Sequence, residues 1–87
     1  MNKNSWNDIW KNKKYYVPEQ PSLNITYFYT HHLKKLKKNS KILDHGCGNA
    51  RNFSFLKKKG FKVTGIDLSK NIIDQNKKKF PNNKKNF

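Results

Sequence analysis

The chain has 87 residues, of which 33% are hydrophobic and 29% charged, and its formal net charge is +15. A chain of this length forms at most one small domain, and its single cysteine, Cys47, excludes an internal disulfide. No segment has the roughly 20 apolar residues of a membrane-spanning helix, and the N-terminal MNKNSWNDIW lacks the apolar region of a signal peptide. These features predict a soluble, cytoplasmic protein that has no membrane partner.

The N-terminal part, residues 1–40, is predicted to contain two helices. Ser5 can cap a short first helix, in which Trp6 and Trp10 lie one turn apart on one face. A connection with two prolines follows, and Ser22 then begins a longer helix. Six residues at three- and four-residue spacing give that helix a face to bury. They are Ile25, Phe28, Tyr29, His32, Leu33 and Leu36.

The second part predicts the order strand, glycine turn, helix, strand, helix. A short strand begins at Ile42, and a helix follows from about Ala50 to Lys59. The next strand ends at Asp67, and a helix capped by Ser69 runs on until Pro81 stops it. The alternating residues of that second strand are Phe61, Val63 and Ile66. This βαβα order predicts an α/β fold with a parallel sheet, and we interpret the final KKNF as the start of a third strand.

The turn between the first strand and its helix predicts a nucleotide site. Gly46 and Gly48 have no Cβ, so their backbone can approach a ligand closely. Asp67 lies 21 residues beyond Gly46, at the end of the next strand, where a carboxylate can accept both ribose hydroxyls. Asp44 would repel a pyrophosphate and suits a ligand with a positive amine or sulfonium group. S-adenosylmethionine is such a ligand, and Arg51 occupies the position where a dinucleotide site requires a small residue.

Two segments carry a resemblance to a known family. KILDHGCGNARN and FKVTGIDLSKN resemble motif I and the following acidic strand end of class I S-adenosylmethionine-dependent methyltransferases. The similarity in these motifs covers about residues 41–80, and a weaker similarity extends back to Ser5. Two departures from the family pattern are Ala50, in place of a third glycine, and His45, where an apolar residue is usual.

The resemblance implies a fold and a cofactor. The family has a seven-stranded Rossmann-like sheet, of which residues 41–87 would be the βαβα start, truncated, and residues 1–40 a helical lid or cap. The implied function is the cofactor-binding part of a methyltransferase that acts on a small-molecule acceptor when complete. The implied cofactor is S-adenosyl-L-methionine. We expect it to contact Asp44, Gly46, Cys47, Gly48, Arg51, Asp67, Leu68 and Trp10.

The roles of several residues stay open at this point. We expect Cys47 to be a small turn residue whose backbone faces the ligand, because no neighbouring base would activate its thiol. Trp10 either contacts the ligand or packs in the core, and Arg51 either lies on the helix surface or holds the N-terminal lid. Adjacent helical residues point apart, so His31 and His32 are not expected to share a metal, and no metal site or catalytic residue is predicted.

The lysine runs support an alternative function. They are Lys34–Lys35 with Lys37–Lys38, Lys57–Lys59 and Lys77–Lys79. Each run falls near the end of a predicted helix, where cations meet the negative end of the helix dipole. We therefore favour a solvated surface, in a chain whose many Lys and Asn residues are typical of an AT-rich genome. The alternative is a small basic nucleic-acid-binding protein that retains the βαβα unit, with weak and non-specific binding.

Overall fold

The computed structural model describes residues 7–8, 10–11 and 18–87. The helices and strands within 18–87 are α1 (Leu23–His31), β1 (Lys41–His45), α2 (Arg51–Lys58), β2 (Lys62–Ile66) and α3 (Lys70–Lys79). Two short 3-10 helices, Leu33–Lys35 and Pro81–Asn86, follow α1 and α3. The four described residues before Pro18 are helical, whereas the predicted cap Ser5 and its neighbour Trp6 lie outside the described residues.

The two strands form a parallel sheet. Lys41 lies opposite Lys62 at one end of the pair, and His45 lies opposite Ile66 at the other. Beyond the last pair, the backbone N–H groups of Gly46 and Cys47 both donate to the carbonyl oxygen of Ile66, at 2.8 and 2.9 Å. The predicted βαβα order and the Rossmann-like α/β class are thereby confirmed, and the glycine turn lies at the carboxyl edge of the sheet.

Serine side chains begin two of the helices, as predicted. Ser22 Oγ accepts a hydrogen bond from the Ile25 N–H at 3.2 Å, and Ser69 Oγ accepts one from the Ile72 N–H at 3.4 Å. Lysines occupy the last turns of both α2 and α3, at the negative end of each helix dipole. The predicted position of these lysine runs at helix ends is confirmed.

The core lies on one face of the sheet, under α2. Its buried residues are Ala50, Phe53, Leu56, Phe61 and Val63. From α1 and the turn after it, Ile25, Tyr29 and Leu33 pack against this cluster. The predicted burial of the other three residues of this helix face is wrong, because Phe28, His32 and Leu36 are exposed. The residues that pack on the core, Ile25, Tyr29 and Leu33, recur every four residues, so the buried stripe is narrower than predicted and Phe28 lies beside it. Leu36 follows the 3-10 turn, where the α-helical spacing has ended.

The burial pattern of β2 also differs from the prediction. Phe61 and Val63 point into the core, but the next inward position is Gly65, and Ile66 is exposed. A strand turns alternate residues to the same side, so Ile66 belongs with the outward residues. The absent side chain of Gly65 leaves room for two neighbours: a Cβ there would lie 3.0 Å from the Phe87 ring and 3.1 Å from the Cys47 side chain.

The predicted third strand at the C-terminal end is wrong for the described chain. Residues Pro81–Asn86 form a 3-10 helix, and Phe87 turns back onto the core. Its ring centroid lies 4.5 Å from that of Phe53 and 5.9 Å from that of Phe80. The space above Gly65 gives this ring a partly buried position against the core. In the part of the chain that is described, no helix combines the length and the apolar character needed to cross a membrane.

Candidate ligand-binding site

A cavity of about 480 Å³ opens at the carboxyl edge of the sheet, around the glycine turn. Its wall contains seven of the eight residues predicted from the sequence, namely Trp10, Gly46, Cys47, Gly48, Arg51, Asp67 and Leu68. Four further residues complete the described wall: His45, Asn49, Asn52 and Ile66. Because parallel strands end at the same edge, β1 and β2 bring the two predicted features, the glycines and Asp67, to one place.

The two glycines of the turn have left-handed backbone conformations, with φ of +72° at Gly46 and +54° at Gly48. L side chains rarely adopt such angles, so each position favours glycine. Their surroundings differ. A Cβ on Gly46 would have no atom within 4 Å, whereas one on Gly48 would lie 3.0 Å from the indole ring of Trp10. Gly46 therefore leaves open space beside the cavity, and Gly48 makes room for Trp10.

The carboxylate of Asp67 connects the glycine turn to α3. Its Oδ2 accepts a hydrogen bond from the Gly48 N–H at 3.0 Å, and its Oδ1 accepts one from the Ser69 N–H at 2.9 Å. Each carboxylate oxygen has two lone pairs, so Asp67 can still accept hydrogen bonds from ligand hydroxyl groups. It holds the loop in place and lines the cavity at the same time.

Asp44 is the predicted site residue that does not appear in the described cavity wall. It pairs with Gly65 across the sheet, on the half-buried face of β1. Its Oδ2 is buried and has no hydrogen-bond partner among the described residues. Burial, and then the charge of Asp67, raise the pKa of the Asp44 carboxyl above its usual value. The contact of Asp44 with a ligand stays a prediction. Among the described residues, its buried Oδ2 is a hydrogen-bond acceptor without a donor.

The thiol of Cys47 is buried and protonated at neutral pH. Burial, followed by the charges of Asp44 and Asp67, raises its pKa to about 12. The nucleophile would be the thiolate, so this environment makes the side chain unreactive. The backbone N–H of Cys47 donates to Ile66 as part of the turn. These contacts agree with the interpretation of Cys47 as a structural turn residue.

Asn76 of α3 supports the turn and was missed as a site residue in the sequence. Only 1% of it is exposed, and its Nδ2 donates to the carbonyl oxygen of Gly48 at 2.8 Å. The same nitrogen lies 3.8 Å from Cys47 Sγ. A signal was present in the sequence, because Asn76 follows the buried Ile72 by four residues and so puts an amide on the apolar face of α3.

The helical N-terminal residues lie across the glycine turn and α3. The carbonyl oxygen of Trp10 accepts a hydrogen bond from Gln75 Nε2 at 3.3 Å, and Asn7 Oδ1 accepts one from Ser69 Oγ at 2.6 Å. The indole Nε1 of Trp10 is buried and has no partner among the described residues. Trp10 both packs against Gly48 and forms part of the cavity wall, so packing and ligand contact are compatible roles.

Arg51 begins α2 and lies between two cavities. It lines the cavity at the glycine turn and a second one of about 380 Å³, whose other described residues fall within 18–24. Nearby, Asn52 Oδ1 accepts a hydrogen bond from the Ser22 N–H at 2.9 Å, which fastens the start of α1 to α2. Asn49 Nδ2 donates to the carbonyl oxygen of Pro18 at 2.8 Å. The segment before α1 is therefore anchored beside Arg51, while a lid role for Arg51 itself stays a prediction.

The two adjacent histidines at the end of α1, His31 and the C-cap His32, do not line this cavity. Their rings pack on aromatic neighbours one turn earlier, His31 on Tyr27 at 4.2 Å and His32 on Phe28 at 5.0 Å between centroids. Among the residues that the structure describes, no group of three His, Cys, Asp or Glu side chains could hold a metal ion. The described cavity wall offers a ligand backbone groups, asparagine amides, one carboxylate, one guanidinium, one imidazole and one indole.

Comparison with known proteins agrees with this geometry. A family model described as a methyltransferase domain matches residues 42–87, which is more than half of the chain. The matched region begins in β1 and includes the glycine turn, Asp67 and α3. No curated protein matches the chain significantly. The resemblance drawn from the two sequence segments is confirmed, and the chain belongs to the methyltransferase domain family.

Proposed function

We propose that the chain binds S-adenosylmethionine in the cavity at the glycine turn, as the donor-binding part of a class I methyltransferase. The observation that carries this proposal is the position of Asp67, which lines the cavity and is hydrogen-bonded to the turn that carries both glycines. A carboxylate at this position suits the ribose hydroxyls of a nucleoside. The proposed methyl acceptor is a small molecule.

The residues present fit this cofactor. Asp67 would hold the ribose, and the open backbone at Gly46 would lie against the nucleoside. Leu68, which is exposed at the cavity, offers an apolar surface to the adenine ring. Two buried polar atoms, Asp44 Oδ2 and Trp10 Nε1, have no partner among the described residues and match a donor and an acceptor at the amino-acid end of the cofactor.

The electrostatics favour a cationic nucleoside over a dinucleotide. Asp44 and Asp67 lie close enough for the charge of Asp67 to raise the pKa of Asp44. Two neighbouring carboxylates repel a pyrophosphate, and a positive ammonium or sulfonium group lowers the repulsion between them. Arg51 at the start of α2 is the cation in the described wall, and it lies on the side of the second cavity.

When bound, the cofactor would supply a methyl group on a positively charged sulfur, and this sulfur would leave as a neutral thioether as an acceptor attacks the methyl carbon in line. The chain's contribution is to position the cofactor and to exclude water. Trp10 covers the turn at Gly48, and Asn76 and Asp67 fix the turn from the α3 side. These contacts hold the loop rigid before a ligand arrives, which reduces the entropy lost on binding.

Calorimetric titration of the full chain with S-adenosylmethionine, its demethylated product and NAD tests the proposal. We expect the first two to bind and NAD to show no binding. Gly46→Ala should weaken binding about 10-fold or more, because the new methyl group lies in the open space beside the cavity and the backbone is strained.

Gly60→Ala is the matched control. Gly60 also has a left-handed backbone, with φ of +97°, but its neighbour is the side chain of Lys38, away from the cavity. Both variants should lose similar stability, on the order of 1 kcal/mol, while only Gly46→Ala loses affinity. Tighter binding of NAD than of S-adenosylmethionine, or equal affinity in the two alanine variants, would refute the proposed site.

A further inference from the structure

The amino ends of the two strands carry a concentrated group of lysines. The Asn39 N–H donates to the carbonyl oxygen of Gly60 at 2.7 Å, and the Lys62 N–H donates to that of Ser40 at 3.0 Å. These bonds bring the segment before β1 together with the segment before β2. We call the exposed lysines of the two segments the basic face: Lys37, Lys38, Lys41, Lys57, Lys58, Lys59 and Lys62.

Acidic residues are absent from both segments of the basic face. The five acids of the chain are Asp8, Glu19, Asp44, Asp67 and Asp74. The ion pairs found among the described residues join Lys70 to Asp74 and Lys79 to Glu19, and neither involves the basic face. A genome that favours lysine codons explains how many lysines the chain has. It does not explain why the acids lie elsewhere.

The basic face also contains a repulsive pair. Lys41 and Lys62 lie directly opposite each other as the first pair of the parallel strands, and both are exposed. Like charges in directly opposed positions destabilise a sheet. The fold therefore carries an unfavourable contact at this end, and an anionic partner would relieve it.

The helix α1 adjoins the basic face through Tyr29 and also carries exposed aromatic rings. Tyr27 is 64% exposed and Phe28 is 48% exposed, and each packs in a tilted arrangement against a histidine one turn later. On the inner side of α1, the Lys59 Nζ lies 4.9 Å from the centre of the Tyr29 ring. That contact places α1 next to the lysine end of α2, and α1 leads directly into the lysines that follow Leu33.

We propose that the basic face and the outer rings of α1 bind single-stranded nucleic acid. Lysines that neutralise phosphates combined with aromatic rings that stack on bases are the two features of sequence-independent single-strand binding. A membrane-surface helix would instead need a continuous apolar face, but α1 turns Ile25 and Tyr29 into the core. This surface goes beyond the proposed methyl-donor site, from which it is separated by the five-residue strands, about 16 Å.

Fluorescence anisotropy of the full chain with a labelled 12-nucleotide single strand, as RNA and as DNA, tests this proposal. The face variant is Lys41→Gln, Lys58→Gln and Lys62→Gln together. The control variant, Lys78→Gln, Lys84→Gln and Lys85→Gln, removes the same charge from exposed lysines elsewhere. We expect the face variant to lose at least 10-fold in affinity at 100 mM salt and the control less than 3-fold.

Salt dependence and a variant without the exposed rings measure the contributions of phosphate contacts and of base stacking separately. The face variant should lower the slope of log K against log salt by about 2, because three phosphate contacts are removed. A second variant, Tyr27→Ala with Phe28→Ala, should weaken binding roughly 5-fold or more while the slope stays unchanged, since stacking releases no counterions. A matched-length duplex should bind more weakly than the single strand.

Three outcomes would overturn the proposal. They are equal losses in the face and control variants, tighter binding to the duplex, and tighter binding to anionic lipid vesicles or an acidic peptide than to the single strand. Equal affinity for RNA and DNA supports recognition of phosphates and bases alone, and a preference for RNA adds contacts to the 2′-hydroxyl. S-adenosylmethionine affinity should be unchanged in the face variant, so failure of this proposal leaves the donor site untouched.

Discussion

Asp67 shows how a single residue serves both the fold and the proposed site. Its two oxygens accept hydrogen bonds from the Gly48 and Ser69 amides, so the loop after β1 and the start of α3 depend on one carboxylate. Hydrogen bonds to a charged acceptor are worth roughly 1.5–3 kcal/mol each. A substitution at this position would disturb the loop as well as any ligand contact, and neighbouring residues give cleaner tests.

Asp44 offers such a test, because its ionised form is unfavourable in the folded chain. Burial, and then the charge of Asp67, raise the pKa of the Asp44 carboxyl above 3.8 in the folded chain. Below pH 3.8 the carboxyl is protonated in both the folded and the unfolded state and costs no stability. As the pH rises through the raised pKa, the free energy of unfolding falls. Asp44→Asn should therefore raise Tm at pH 7, and the gain should shrink as the pH falls towards 4. Thermal unfolding monitored by circular dichroism at both pH values measures this.

The same substitution should weaken S-adenosylmethionine binding, since the asparagine has no charge to offer an ammonium group. A more stable variant with lower affinity would identify Asp44 as a residue held at a cost to folding. A lower Tm at pH 7, or a gain that grows at acidic pH, would contradict the assigned direction of the pKa shift.

Cys47 should be almost inert to alkylation. With a pKa of about 12, the thiolate fraction at pH 8 is on the order of 10³-fold smaller than in a free cysteine, and burial restricts access further. Iodoacetamide should therefore modify the folded chain at least 10³-fold more slowly than the chain in urea, measured by mass spectrometry. Comparable rates in the two states would show that the turn opens readily or that the thiol is activated.

At the scale of elements, two serine caps with different surroundings begin α1 and α3. Ser22 is half-buried, and its cap bond to the Ile25 N–H is supported by the bond from its own N–H to Asn52. Ser69 is fully buried, and its hydroxyl both caps α3 and donates to Asn7. The cap of α3 therefore also anchors the N-terminal residues that cover the glycine turn.

Alanine at the two caps should reveal this difference. Ser22→Ala removes one cap bond and should cost about 1 kcal/mol. Ser69→Ala also removes the shorter of the two hydrogen bonds that Asn7 Oδ1 accepts, leaving the one from the Asn71 N–H at 3.5 Å, and should cost about 2 kcal/mol. Urea denaturation of both variants gives the two free energies of unfolding. Equal costs would mean that the Ser69–Asn7 bond contributes nothing to stability.

At the scale of the whole molecule, two features act against stability: the high net charge and a sheet face with exposed apolar residues. One face of the sheet is covered by α2, but the other leaves Leu43 60% exposed and Ile66 also exposed. The formal net charge of +15 repels itself in the compact state. Ion pairs offset little of this repulsion in the described chain, because both are on the surface.

Salt should therefore stabilise the folded chain. Raising NaCl from 20 to 300 mM shortens the Debye length to below about 8 Å and screens the repulsion between lysines. We expect Tm to rise by about 5 °C, measured by circular dichroism, and to rise less in the Lys41→Gln, Lys58→Gln, Lys62→Gln variant. A fall in Tm with added salt would show that attractive pairs outweigh the net repulsion.

Local patterns were sufficient to predict the βαβα elements and most of the residues that line the described cavity. The caps Ser22 and Ser69 mark helix starts by their own hydrogen-bonding chemistry, and Gly46 and Gly48 mark the turn by their backbone freedom. Since both strands of a parallel pair end at one edge, the order of elements was enough to bring Asp67 to the glycines. Family membership follows from the same residues.

Contacts between distant residues decided the rest. The residue spacing of α3 does not predict that Asn76 donates to the carbonyl oxygen of Gly48. The segment KKNF does not predict that Phe87 packs over Gly65. The end of α1 at His31, and the exposure of the residues after it, depend on what the core can cover. Sequence by itself determined the βαβα order, the caps and the turn, because these depend on neighbours along the chain. Tertiary structure decided which side chains are buried, and it brought the lysines before β1 and β2 into one face, because both depend on groups that the fold alone brings together.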